Sequence, residues 1–101
     1  MTIRKEVADF VALGTLPPFT AEPEVIARHE EALHRIQRPA TVDEAAILLK
    51  CFGPDDCFGL AWTLLHLIES APESPLVEPP PAEANQWLHR LWTGLVNAGR
   101  R

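Results

Sequence analysis

Ten prolines and five glycines cut this chain of 101 residues into short segments. That punctuation excludes one long coiled coil and is too sparse for a disordered chain. What lies between the breaks keeps a helical period, so the chain is expected to be all-α, with four to five helices. The first segment, about Thr2 to Leu13, places Ile3, Val7, Phe10 and Val11 on one face and stops at Gly14, a good left-handed terminator. Leu16-Pro17-Pro18-Phe19 then forms an extended connector whose two apolar ends are expected to dip into the core. Thr20 is the candidate cap of the second helix, Pro23 fits its first turn, and Pro39 closes it. Val25, Ile26, His29, Leu33 and Ile36 line its inner face.

Thr41 and Glu44 match the Thr-x-x-Glu capping box, the clearest start signal in the chain. The third helix is expected over Val42 to Phe52, ending at Gly53-Pro54. Asp55 or Asp56 should cap a fourth helix, over about 55–71 and central to an irregular bundle. In it Phe58, Leu60, Ala61, Trp62, Leu64, Leu65, Leu67 and Ile68 cover nearly the whole circumference. Gly59, Thr63, His66 and Ser70 form one narrow strip among them that would let a neighbouring helix come close. A Pro-rich connector over 72–81 leads to a last helix, about Ala82 to Ala98, with a stripe of Trp87, Leu88, Leu91, Trp92, Leu95 and Val96. At this length the whole chain, 1–101, is one domain with room for one core and one shallow site.

The N-terminus places Glu6 and Asp9 where a secretion signal needs an unbroken apolar run, and no apolar stretch reaches about 18 residues, so a cytoplasmic protein is expected. In a reducing compartment Cys51 and Cys57 are small core thiols rather than a bridge, although their spacing permits one.

Catalytic chemistry has no carrier in these residues. His29 and His34 are five apart, one residue off the zinc-protease spacing. Glu31-x-x-His34 has the di-iron spacing without the second copy such a site needs. Cys57 has Asp55 and Asp56 beside it, which oppose a thiolate. His66, alone in an apolar helix, is expected to be a neutral, hydrogen-bonded core residue. Neither enzyme activity, nor a metal, nor a cofactor is expected.

Charge is more informative than any motif. The formal net charge is −5, which argues against a duplex-binding role. From Cys51 through His89 there are six acids (Asp55, Asp56, Glu69, Glu73, Glu78 and Glu83) and neither Lys nor Arg. Two readings stay open: a solvated face that keeps the protein soluble, or a surface that steers and binds a basic protein. For the second, Asp55, Asp56 and Glu69 are the candidate contacts, with Glu73 and Glu78 steering from the connector. Phe58, Trp62, Trp87 and Trp92 are the candidate aromatic anchors.

The segment from Phe52-Gly53-Pro54-Asp55-Asp56-Cys57 through Ser70-Ala71-Pro72 resembles parts of small bacterial immunity proteins, which are encoded beside polymorphic or secreted toxins. The resemblance covers residues 52–72 and no more. It implies a small, acidic, cytoplasmic, non-catalytic protein that binds a toxin enzyme and covers its active site. Toxins that attack nucleic acids or nucleotides tend to have basic sites, which an acidic face would complement. Alternatives are a homodimeric structural protein joined through helices 4 and 5, or a metal-dependent protein built around His29, His34 and His66.

Overall fold

The computed structural model describes residues 3–99, and these form five α-helices with no strand among them. The helices are α1 (Lys5–Ala12), α2 (Pro23–His34), α3 (Val42–Leu48), α4 (Leu60–Glu69) and α5 (Gln86–Asn97). Neighbours in space run α2–α1–α3–α4–α5, so α1 and α3 join the first helical pair to the last. The Cα radius of gyration, 13.1 Å, is that of one compact body of this length. No helix among the described residues is long and apolar enough to cross a membrane.

α1 buries Val7 and Phe10 and ends before Gly14, whose φ of +89° is the left-handed stop expected of it. The expected start at Thr2 lies outside the described residues. α2 begins with Pro23 at its first position after Glu22, so Thr20 is not its cap. It also ends at His34, well short of Pro39: Ile36 N–H turns back to the Leu33 carbonyl at 3.1 Å and the Ile36 side chain is buried outside the helix. His29, on the inner face, is buried with its ring edge-on to Phe10; Nδ1–H donates to the Val25 carbonyl at 3.0 Å.

The capping box of α3 forms in full. Glu44 N–H donates to Thr41 Oγ1 at 3.0 Å and Thr41 N–H donates to Glu44 Oε1 at 2.9 Å. Glu44 is also 0% exposed, which the local pattern does not require. Arg4 supplies the reason. Its backbone N–H and Nε reach Oε2 at 2.9 and 3.0 Å, and its Nη2 reaches Oε1 at 3.0 Å. The Arg4 guanidinium and these hydrogen bonds outweigh desolvation and hold the Glu44 carboxyl at about 2.

α3 does not run on to Phe52. It tightens into a 3-10 turn, Leu49–Cys51, and Leu16 N–H bonds the Cys51 carbonyl at 2.8 Å. A Cβ on Gly53 would stand 2.0 Å from the Leu16 carbonyl oxygen, so only glycine allows the two segments this approach.

α4 is the apolar centre expected: Leu60, Ala61, Leu64, Leu65, Leu67 and Ile68 are buried between α3 and α5. Its extent is shorter than 55–71. The strip of Gly59, Thr63, His66 and Ser70 is half-buried or exposed rather than a seam for a helix. The close approach to α5 occurs beside the strip, where Gly94 of α5 faces Glu69: a Cβ there would lie 3.1 Å from Oε2.

The connector after α4 carries no regular structure, and α5 starts at Gln86 rather than Ala82 because Asn85 caps it. Asn85 Oδ1 accepts from Trp87 N–H at 2.9 Å, while Asn85 Nδ2 donates to the Gly53 carbonyl at 2.9 Å. One side chain therefore starts a helix and clamps the turn ahead of α4.

Candidate functional site

That turn carries the most exposed aromatic ring in the molecule. Cys57 (φ +45°), Phe58 (φ +56°) and Gly59 (φ +91°) lie consecutively in the left-handed region, ahead of the first turn of α4. Glycine accepts this geometry freely, whereas each non-glycine residue there costs about 1–3 kcal/mol. The turn holds because neighbours brace it. Asp55 Oδ1 accepts from Cys57 N–H at 2.9 Å, and both Asp55 oxygens accept from Phe19 N–H at 3.2 and 3.1 Å. Neither Asp55 nor Asp56 caps α4 with its side chain; Gly59 occupies the cap position.

The bracing throws Phe58 outward, 73% exposed, with its ring edge-on to Phe19 at 6.4 Å between centroids. Phe19 is itself 56% exposed, contrary to the expectation that both ends of its connector enter the core; Leu16 alone does. Beside the pair opens a groove of about 300 Å³ over Ala21, Pro23, Ile26 and Ala27, with Glu30 on its wall. Burial raises the Cys57 thiol above its ordinary range, and the charges of Asp55, Asp56 and Glu30 raise it further. Three carboxylates thus lie close to the buried thiol of the turn that carries Phe58.

A second groove, about 450 Å³, runs between α4 and α5. Trp62, 42% exposed, meets Trp87 edge-on at 5.0 Å, and His66 stacks on its ring at 6.3 Å. Arg90 sits in the corner of the two indoles, with Cζ 5.3 Å from the Trp62 ring centre and 5.2 Å from that of Trp87. His66 is exposed and pairs with Glu69, Nδ1 to Oε1 at 3.0 Å. The expectation of a core histidine at 66 is therefore wrong; the exposed face of α4 passes through it, and His29 is the buried one.

No family model, curated protein or solved structure matches this chain.

Of the candidate contacts, the structure gathers Asp55, Asp56 and Phe58 on the strained turn. Trp62 and Glu69 lie in the α4–α5 groove, which shares no lining residue with the groove at Phe58. Glu73 and Glu78 are exposed on the connector. Trp87 is buried, stacked on Phe52 at 6.1 Å, and Trp92 is half-buried, so the ends of the α5 stripe are not free anchors. Phe19, Glu30 and Arg90 were missing from the expected set. Only Arg90 carried a local signal, three residues after Trp87 on one helix face.

Among the described residues no three His, Cys, Asp or Glu side chains come together to hold a metal. Cys51 and Cys57 are both buried and unbridged, and burial pushes the Cys51 thiol up to about 11. Buried thiols held this far from ionisation suit packing rather than nucleophilic attack.

Proposed function

We propose that this chain is a protein-binding module, and that it docks a basic partner on the Phe19–Phe58 pair and the carboxylates around it. One observation carries the reading. A large apolar ring stands 73% exposed on backbone that a non-glycine residue adopts only at a cost. Folding gains almost nothing from that ring in this place. A partner that covers both phenyls and the adjoining groove gains apolar burial, while Glu30 and Asp56 attract and orient its basic side chains. Asp55 contributes charge as well, although its oxygens already serve the turn.

The partner that best fits this surface and the resemblance over 52–72 is a toxin enzyme with a basic active site, inhibited in the cytoplasm when the module covers it. Catalysis has no part in this role.

The test is to co-purify the chain's partner from its native host and express that partner in a sensitive strain, with and without this chain. Growth should be rescued by the native chain and by Glu6→Gln, a change at an exposed acid on α1 in a hollow that shares no residue with the groove at Phe58. Phe58→Ala and the double change Glu30→Lys, Asp56→Lys should lose rescue. The charge changes should act on the association rate and flatten its dependence on salt. Absence of a partner, or rescue untouched by all three patch changes, overturns the reading.

A further inference from the structure

We propose that the groove between α4 and α5 is a binding site for a phosphate-bearing small molecule, with Arg90 as its principal contact. Three observations converge there. Arg90 is held in a corner of two indoles, which restricts its rotamers before any ligand arrives. It makes no hydrogen bond or ion pair among the described residues, whereas Arg4 and Arg35 are each spent on a glutamate. Its fork of N–H donors is therefore free to meet an oxyanion at two points. The groove, about 450 Å³, is also of the size that takes small ligands.

The neighbouring side chains favour phosphate over carboxylate. His66 and His89 line the groove beside Arg90. A carboxylate spends both oxygens on a guanidinium fork, whereas a phosphate monoester keeps a third oxygen for an imidazole. The organic remainder of the ester would lie along Leu65 and Thr93, which also line the groove.

Glu69 opposes an anion, and it is the groove's one carboxylate. His66 lies against it at 3.0 Å, so protonation of His66 offsets that charge. The titratable and charged groups facing the site are His66 and Glu69 from α4 and His89 and Arg90 from α5. The site is independent of partner docking, since the two grooves share no residue.

The probe is inorganic phosphate, added to the full chain and followed through the indole N–H of Trp62 and the Nε–H of Arg90 by NMR. Chloride at equal ionic strength and acetate serve as comparison arms. Saturable shifts are expected with phosphate, weaker ones with acetate and none with chloride. Arg90→Gln should abolish the shifts at Trp62, and Arg90→Lys, which keeps the charge without the fork, should weaken binding at least severalfold. Equal shifts with chloride overturn the proposal, as does acetate binding as tightly as phosphate. Binding unchanged in Arg90→Gln or Arg90→Lys does so too.

Discussion

Arg4 and Glu44, forty positions apart, meet through two parallel contacts, Nε to Oε2 and Nη2 to Oε1, both 3.0 Å long. The carboxylate is fully buried and also takes the backbone N–H groups of Arg4 and Thr41. The start of α1 and the start of α3 are thereby tied to one group.

Acid should loosen this tie in a defined window. The Glu44 carboxyl is lowered from 4.5 to about 2 in the folded chain. A lowered carboxyl stabilises the fold above its unfolded value, and that contribution is lost as pH falls from 4.5 towards 2. The shift corresponds to roughly 3 kcal/mol. Urea unfolding at neutral and acid pH should show that loss, and Glu44→Gln should remove most of the difference. Arg4→Ala, which leaves the carboxylate buried without its main partner, should cost roughly 3–5 kcal/mol at neutral pH.

Gly53→Ala should be among the most damaging small substitutions. Its added carbon would sit 2.0 Å from the Leu16 carbonyl, a backbone atom with no flexible end to move aside. A loss of about 3 kcal/mol is expected, read as a lower urea midpoint at unchanged slope. A loss under about 0.5 kcal/mol would mean that the two segments separate easily.

Phe58→Gly should separate stability from binding. Glycine relieves the left-handed strain, and little buried area is lost from a ring 73% exposed. Thermal stability should rise by roughly 1 kcal/mol while partner affinity falls at least tenfold. Phe58→Ala keeps the backbone strain and should lose the affinity without the gain.

Both thiols should resist alkylation in the native state at neutral pH. Cys51 is raised to about 11 by burial, and Cys57 is raised by burial and three nearby carboxylates. Labelling with a thiol reagent should therefore track unfolding, and fast labelling of the native protein would show that the turns holding Cys51 and Cys57 open locally.

Much of the fold was legible because its signals are local. Thr41 and Glu44 are three apart, so the start of α3 can be read without knowing what surrounds it. The all-round apolarity of Leu60 to Ile68 likewise announces a buried helix. The start of α4 was misread because Cys57 and Phe58 continue the apolar run, while their left-handed backbone depends on Asp55 and on Phe19, thirty-six positions away from it. Asn85 carried a cap signal, but the alanines at 82 and 84 drew the expected start of α5 forward. The candidate site was legible in part: Asp56 and Phe58 carry their exposure in the turn itself, whereas Phe19 and Glu30 reach it only through packing. Histidine showed the same limit, since nothing within a turn of His29 or His66 says which is buried.

The clamp made by Asn85 on Gly53 has a consequence for when recognition becomes possible. The patch draws on the connector at Phe19, on α2 at Glu30 and on the turn at Phe58, and the chain just ahead of that turn is tied at Gly53 to Asn85, at the start of α5. A ribosome that has released only the first seventy residues has made both phenyls but not the side chain that clamps Gly53 ahead of their turn. A partner that needs this shape would therefore ignore nascent or truncated chains, as well as a peptide copied from 52–72. Binding would act as proof-reading of the finished molecule.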